Sequence, residues 1–144
     1  TATMVALEGT ADDFRLVDTG ITRLEINNSE SAHDVVSFFN AFQSYIRCHQ
    51  IDKIAIKSRN YKAKGWHASG PLTFKLEGLI QLNKDAAVIL INPNTISARI
   101  RKAPPPELKN LYKYQKEAYK TAYTYLRLQE DSSTASLSTM ACCQ

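Results

Sequence analysis

Residues 4–26 read MVALEGTADDFRLVDTGITRLEI, and the number of strands in this stretch decides the fold. Met4–Leu7 and Phe14–Val17 are short β-prone runs, separated by the turn formers Gly9-Thr10-Ala11-Asp12-Asp13. Asp18-Thr19-Gly20 is a second turn. Across Ile21–Ile26, Leu24 and Ile26 fall on one face, with Arg23 and Glu25 on the other. Three consecutive strands joined by tight turns are expected, which is not how a doubly wound dinucleotide-binding fold begins.

Downstream the period changes. Val35, Phe38, Phe39, Phe42 and Ile46 share one helical face, with Ser31 as N-cap and Asp34 favouring the helix dipole. Lys53–Lys57 is an extended Ile-Ala-Ile run apolar enough for a central strand. A loop from Asn60 to Gly70 follows, and Pro71, capped by Ser69 or Gly70, opens a helix that buries Leu72, Leu76, Leu79 and Ile80. Ala86–Ile91 is an aliphatic strand stopped by Asn92-Pro93, and Asn94 or Thr95 caps a short basic helix through Arg101. Ala103-Pro104-Pro105-Pro106 is a stiff linker into a final helix from about Glu107 to Gln129, with Leu111, Ala118, Ala122, Tyr125 and Leu126 facing inward. The order βββ-α-β-α-β-α-α predicts an α/β fold. Its mixed five-stranded sheet joins an antiparallel meander to parallel strands through right-handed crossovers, with helices on both faces. One domain over residues 1–130 is expected, with a Ser/Thr-rich, disordered tail at 131–144.

Composition narrows the function classes. The chain has 144 residues, 44% hydrophobic and 22% charged, the profile of an ordinary single domain. No apolar run approaches the ~20 residues of a membrane-spanning helix, so no membrane partner is expected. The chain begins at Thr1, and its first residues lack the basic, apolar, small-residue succession of a signal peptide. Cys48, Cys142 and Cys143 have neither disulfide-framework nor zinc-ligand spacing, and read as free thiols in a reducing cytoplasm. His33, His49 and His67 show no metal spacing, and no Gly-rich phosphate loop or Gly-x-Ser-x-Gly elbow is present.

Charge is the sharper signal. The net charge is +4, but residues 1–56 hold 4 basic and 8 acidic side chains, whereas residues 57–127 hold 14 basic and 4 acidic. A positive face that attracts polyanions is expected from the second segment, the alternative being a solvated Lys-rich surface. Lys57, Arg59, Lys62 and Lys64 lie just before Trp66 and His67. Arg99, Arg101 and Lys102 form a second cluster, and Lys113, Lys116 and Lys120 line the last helix. Lysine and arginine neutralise phosphates with release of counterions, and an exposed Trp stacks on unpaired bases. Against this, Trp66 reads also as a hydrophobic plug that closes the loop onto the core.

Two stretches carry a family resemblance. One is Lys57-Ser58-Arg59…Lys64-Gly65…Ser69-Gly70…Thr73-Phe74-Lys75-Leu76-Glu77-Gly78-Leu79-Ile80-Gln81-Leu82. The other is Tyr114-Gln115-Lys116-Glu117-Ala118-Tyr119-Lys120-Thr121-Ala122-Tyr123-Thr124-Tyr125-Leu126, with Val5-Ala6-Leu7-Glu8-Gly9 a looser third. Together they resemble an uncharacterised bacterial protein family of the ribonuclease H-like superfamily, in its resolvase-like branch, over residues 4 to about 127. The resemblance implies a ribonuclease H-like sheet and a site of acidic residues that hold divalent metal. They stand on the first strand, on the strand after the first helix, and near the last helix. This chain departs from that pattern. Ala6 occupies the first position, Lys57-Ser58-Arg59 the second, and only Glu117 remains in place.

Glu8, two residues on from Ala6, and Glu77 could complete a set with Glu117, catalytic with Mg or Mn. The plainer readings are a turn residue, a solvated helix residue and a helical ion pair with Lys113 or Lys120. Three functions are therefore expected in order. The first is a nucleic-acid-binding domain with a degenerate carboxylate set and no cofactor. A metal-dependent nuclease follows, and then a protein-interaction or inhibitor module, a homodimer included. The last would use the Tyr-rich final helix, with Tyr112, Tyr114, Tyr119, Tyr123 and Tyr125.

Overall fold

Strand β1 (Ala2–Gly9) is apolar on both sides because both sides are covered. Met4 and Ala6 enter one core with Phe38, Phe42, Ile46 and Ile54, and Val5 and Leu7 enter another with Ala118, Ala122 and Leu126. The structure, a computed structural model, describes residues 1–59 and 70–130, together with the backbone of 137–143.

β2 (Phe14–Leu16) and β3 (Arg23–Leu24) both pair antiparallel with β1, β2 against Leu7–Gly9 and β3 against Ala2–Thr3. The expected meander is thus corrected: the two short strands lie in line along one edge of β1 instead of side by side. The Asp18-Thr19-Gly20 turn does not reverse the chain. Gly20 N–H donates to Asp18 Oδ1 at 3.0 Å, Thr19 Oγ1 to the Ile21 carbonyl at 2.9 Å, and Met4 N–H rejoins the ladder at Thr22 O. At the other end, Gly9 turns at φ 125°, where a Cβ would run into the Asp13 carbonyl oxygen, so a side chain there is excluded.

Helix α1 (Ala32–Cys48) is capped as expected, Ser31 Oγ accepting from Asp34 N–H at 3.3 Å. It buries Phe38, Phe42 and Ile46 against the Met4/Ala6 side of β1. Strand β4 (Lys53–Lys57) is buried through Ile54, Ala55 and Ile56, and pairs in parallel with β5 (Ala87–Ile91). Between them α2 (Pro71–Gln81), capped by Gly70, packs Leu76 and Ile80 onto the α1 side. Helix α3 (Pro93–Lys102) begins earlier than expected. Asn92, not Asn94 or Thr95, caps it, Asn92 Oδ1 accepting from Asn94 N–H at 2.8 Å, and Pro93 takes the first position, where its missing N–H is harmless.

The last helix begins later than expected. α4 spans Lys116–Glu130, preceded by a 3-10 turn at Lys113–Gln115. The linker before it needs no helix to satisfy its carbonyls: Ala103 O accepts from the Tyr123 hydroxyl at 2.9 Å and Pro106 O from the Tyr119 hydroxyl at 2.6 Å. α4 covers the Val5/Leu7 side of the sheet, and α3 flanks it through Ile96 and Tyr125.

The Ser/Thr-rich segment corrects the expected tail and the expected five strands. Leu137–Cys143 forms β6, which pairs antiparallel with β1 from Thr3 to Gly9 and in parallel with β4 from Lys53 to Ile56. The sheet therefore has six strands in the order β2-β1-β6-β4-β5, with β3 also on β1. Without β6 the chain holds an antiparallel group of three and a separate parallel pair. The fold is mixed α/β with helices on both faces.

Candidate functional site

The carboxyl ends of parallel strands are where open α/β sheets gather ligands, because the crossovers bring helix N-termini there. In this chain β4 ends at Lys57 and β5 at Ile91, tied together by Ser58 N–H donating to Ile91 O at 2.9 Å. The start of α3, at Asn92, follows directly. α4 brings its own start to the same edge, where Lys57 Nζ donates to Glu117 Oε2 at 3.3 Å. Lys57 points to the α4 side by strand alternation, sharing a face with Ala55, which packs near Tyr125.

Glu117 is held from both sides. Its Oε1 accepts from Lys120 Nζ at 3.1 Å, one helical turn on, while Oε2 faces Lys57. Partial burial pushes the carboxyl up. The hydrogen bond and charge of Lys120, joined by Lys57, outweigh that, and the pKa falls below its ordinary value. The carboxylate is thus ionised and already paired with two ammonium groups, a local excess of positive charge suited to a phosphate.

The three candidate carboxylates do not assemble. Glu117 stands beside the start of β1, since Gln115 Nε2 donates to Met4 O at 3.0 Å. Glu8 lies four residues further along β1, about 14 Å away at the rise of a strand. It is also on the opposite face, the one shared by Met4 and Ala6, and it is paired with Arg15 on β2. Glu77 is on α2, on the α1 side of the sheet, 3% exposed. Ligands to one divalent ion must sit within ~2.0–2.6 Å of it, which these positions do not allow. Among the described residues no group of three His, Cys, Asp or Glu side chains could hold a metal ion. These residues do not fit Mg or Mn.

The basic clusters divide. Lys113 and Lys116 are exposed and continue the strip of Lys57 and Lys120 around the start of α4. Arg99, Arg101 and Lys102 form the last turn of α3, roughly 9 to 14 Å along that helix from its start at the carboxyl edge. Arg59 follows β4 at the site, partly buried. Lys62, Lys64 and Trp66 lie outside the described residues. Of the five tyrosines, Tyr119, Tyr123 and Tyr125 are buried in the chain's own core, which leaves Tyr112 and Tyr114 at the surface.

Sequence reasoning missed Gln115. It is 4% exposed, with Nε2 on Met4 O and Oε1 accepting from Tyr112 N–H at 3.1 Å, and it fixes the start of α4 against β1. A polar residue between the exposed Tyr114 and Lys116 gives no burial signal in the sequence.

Among the described residues no helix is long and apolar enough to cross a membrane. No curated protein and no solved structure matches the chain. A family profile does match, over residues 1–125, and the chain belongs to that family, described as protein of unknown function DUF3010.

Proposed function

We propose that this protein is a nucleic-acid-binding domain on a ribonuclease H-like scaffold, in which the carboxylate set has degenerated and phosphate binding remains. The observation that carries the reading is the pairing of Glu117, the one acid kept in place, with Lys57 and Lys120. Lys57 stands where the resemblance implies a second acid. A site that would gather cations through paired carboxylates presents ammonium groups instead, and ammonium groups gather phosphates. The balance of 14 basic to 4 acidic side chains over residues 57–127 extends that attraction around the site. The scaffold is supported by parallel β4–β5, the helices on both faces and α4 beside β1. The insertion of β6 between β1 and β4 is its departure.

The test is binding and cleavage measured together. Fluorescence anisotropy with labelled single-stranded and duplex oligonucleotides is expected to show salt-dependent binding, weakened in Lys57→Ala and in Lys120→Ala. Each lost phosphate contact lowers the slope of log affinity against log salt by about 0.9 on duplex or 0.7 on single strands. No cleavage is expected with Mg²⁺ or Mn²⁺. Metal-dependent cleavage lost in Glu117→Ala would replace this reading with a nuclease.

A further inference from the structure

Beside the start of α4 the surface carries an aromatic stack. The rings of Tyr112 and Tyr114 lie parallel, 4° apart in tilt, with centroids 5.4 Å apart. The Arg23 guanidinium sits 3.4 Å from the centroid of Tyr114. The stack is fixed in place. The Tyr114 hydroxyl meets Thr22 Oγ1 at 2.6 Å, and the backbone of Tyr112 is bound by the buried Gln115. Yet Tyr112 is 60% exposed and Tyr114 39%. Large aromatic rings held rigid and open to water are surfaces prepared for another flat, apolar face.

Charge says which face. The segment Leu108–Lys116 holds Lys109, Lys113 and Lys116 and no acidic residue, and it continues into Lys120 and Lys57. A cleft of about 710 Å³ opens beside Tyr112, with Leu16, Val17 and Leu111 as apolar wall and Lys109, the Glu8-paired Arg15 and Asp18 as its charged lining. Parallel rings next to a lysine strip match a polyanion that carries flat rings. In a duplex those faces are hidden by neighbouring base pairs, and only an unpaired strand offers them.

We infer that Tyr112 and Tyr114, backed by Arg23, are a base-stacking platform for single-stranded nucleic acid. The backbone of that strand runs along Lys113, Lys116 and Lys120 to Lys57. This inference rests on the nucleic-acid reading above and names its substrate class.

The experiment compares the full chain with Tyr112→Ala, Tyr112→Phe and Lys57→Ala. Affinity for a labelled oligothymidylate and for a duplex of equal length is read by anisotropy, with thermal melting as the check on folding. The wild type is expected to prefer the single strand. Tyr112→Ala is expected to lose between about fivefold and a hundredfold of single-strand affinity, the range for one stacked base, with duplex affinity unchanged. Tyr112→Phe, which keeps the ring, should retain the single-strand preference. Equal single-strand binding by Tyr112→Ala and wild type, or a wild-type preference for duplex, would overturn the platform. If Lys57→Ala still weakens binding in that case, the broader reading stands. Absence of binding to either oligonucleotide would overturn both.

Discussion

Gln115 Nε2 donates to the carbonyl oxygen of Met4 at 3.0 Å, across 111 positions of sequence. On the same edge of β1, Met4 N–H donates to Thr22 O, so the two polar groups of one strand residue are met by β3's approach and by a side chain. The gap between β2 and β3 is closed in this way, and α4 is set at a fixed height along the sheet.

Replacing Gln115 by Ala should therefore destabilise the protein by about 1–3 kcal/mol, the cost of leaving buried backbone groups unmet. Gln115→Glu should cost nearly as much. A carboxylate still accepts from Tyr112 N–H but has no proton for Met4 O. Urea unfolding followed by circular dichroism measures both, and an unchanged midpoint for the Glu variant would refute the role of the amide donor.

Glu117 has its pKa held below the ordinary 4.5 in the folded state, chiefly against its own desolvation and by Lys120 with Lys57. Its contribution to stability is present above about 4.5 and is lost as pH falls through the folded value. The pair is half open to solvent, so the contribution is at most about 1 kcal/mol. Wild type and Glu117→Gln should differ by that small amount near neutral pH and converge in acid, and the difference should shrink in high salt. Thermal melting across the acid range is the check.

At the other extreme of pH, Tyr119 is the group to watch. Burial, with some help from Tyr123, pushes its hydroxyl up to about 12, and that hydroxyl donates to Pro106 O. Because the folded value is raised, the stability it brings is complete below the ordinary value of 10.0 and is lost as pH rises from there through about 12. Tyr119→Phe should flatten the alkaline part of the stability profile. Phenolate absorbance of the folded protein should show one fewer late-titrating tyrosine.

β6 supplies a test of the sheet. Ala141 lies between Val5 of β1 and Ala55 of β4. Proline there removes a ladder donor from a strand paired on both sides and should cost about 3 kcal/mol or more. A midpoint within experimental error of wild type would show that β6 is not a central strand.

Much of the α/β framework was legible because its signals are local. The Phe38–Phe42–Ile46 stripe, the Ser31 cap and the Ile-Ala-Ile core of β4 each sit within one turn or one strand. What was not legible depends on distant partners. Leu137–Cys143 falls in a stretch that reads as a polar tail because Ser and Thr crowd the positions from Ser132 to Thr139. A hint is that no charged side chain occurs from Ser132 to Gln144, which suits a strand paired on both edges. The late start of α4 depends on Tyr119 and Tyr123 reaching back to carbonyls of the linker, which no helical periodicity reveals. At the site, Glu117 and Lys57 each stand out in the sequence, but their contact spans 60 positions and only the fold brings it about. Glu8 failed for the reason that strand alternation exposes: a shift of two residues keeps the face of β1, and that face is turned away from α4.

The position of β6 also governs assembly. Its partner in β1 for Cys143 is Thr3, so the ladder that joins the two halves of the sheet closes over nearly the whole sequence and is expected to form late. Until it does, β1 and β4 each present an open inner edge, and an open edge accepts any strand of suitable register. A second chain's Leu137–Cys143 carries the same register as the chain's own. Refolding at high concentration is therefore expected to raise the share of strand-exchanged dimers, which size-exclusion chromatography measures.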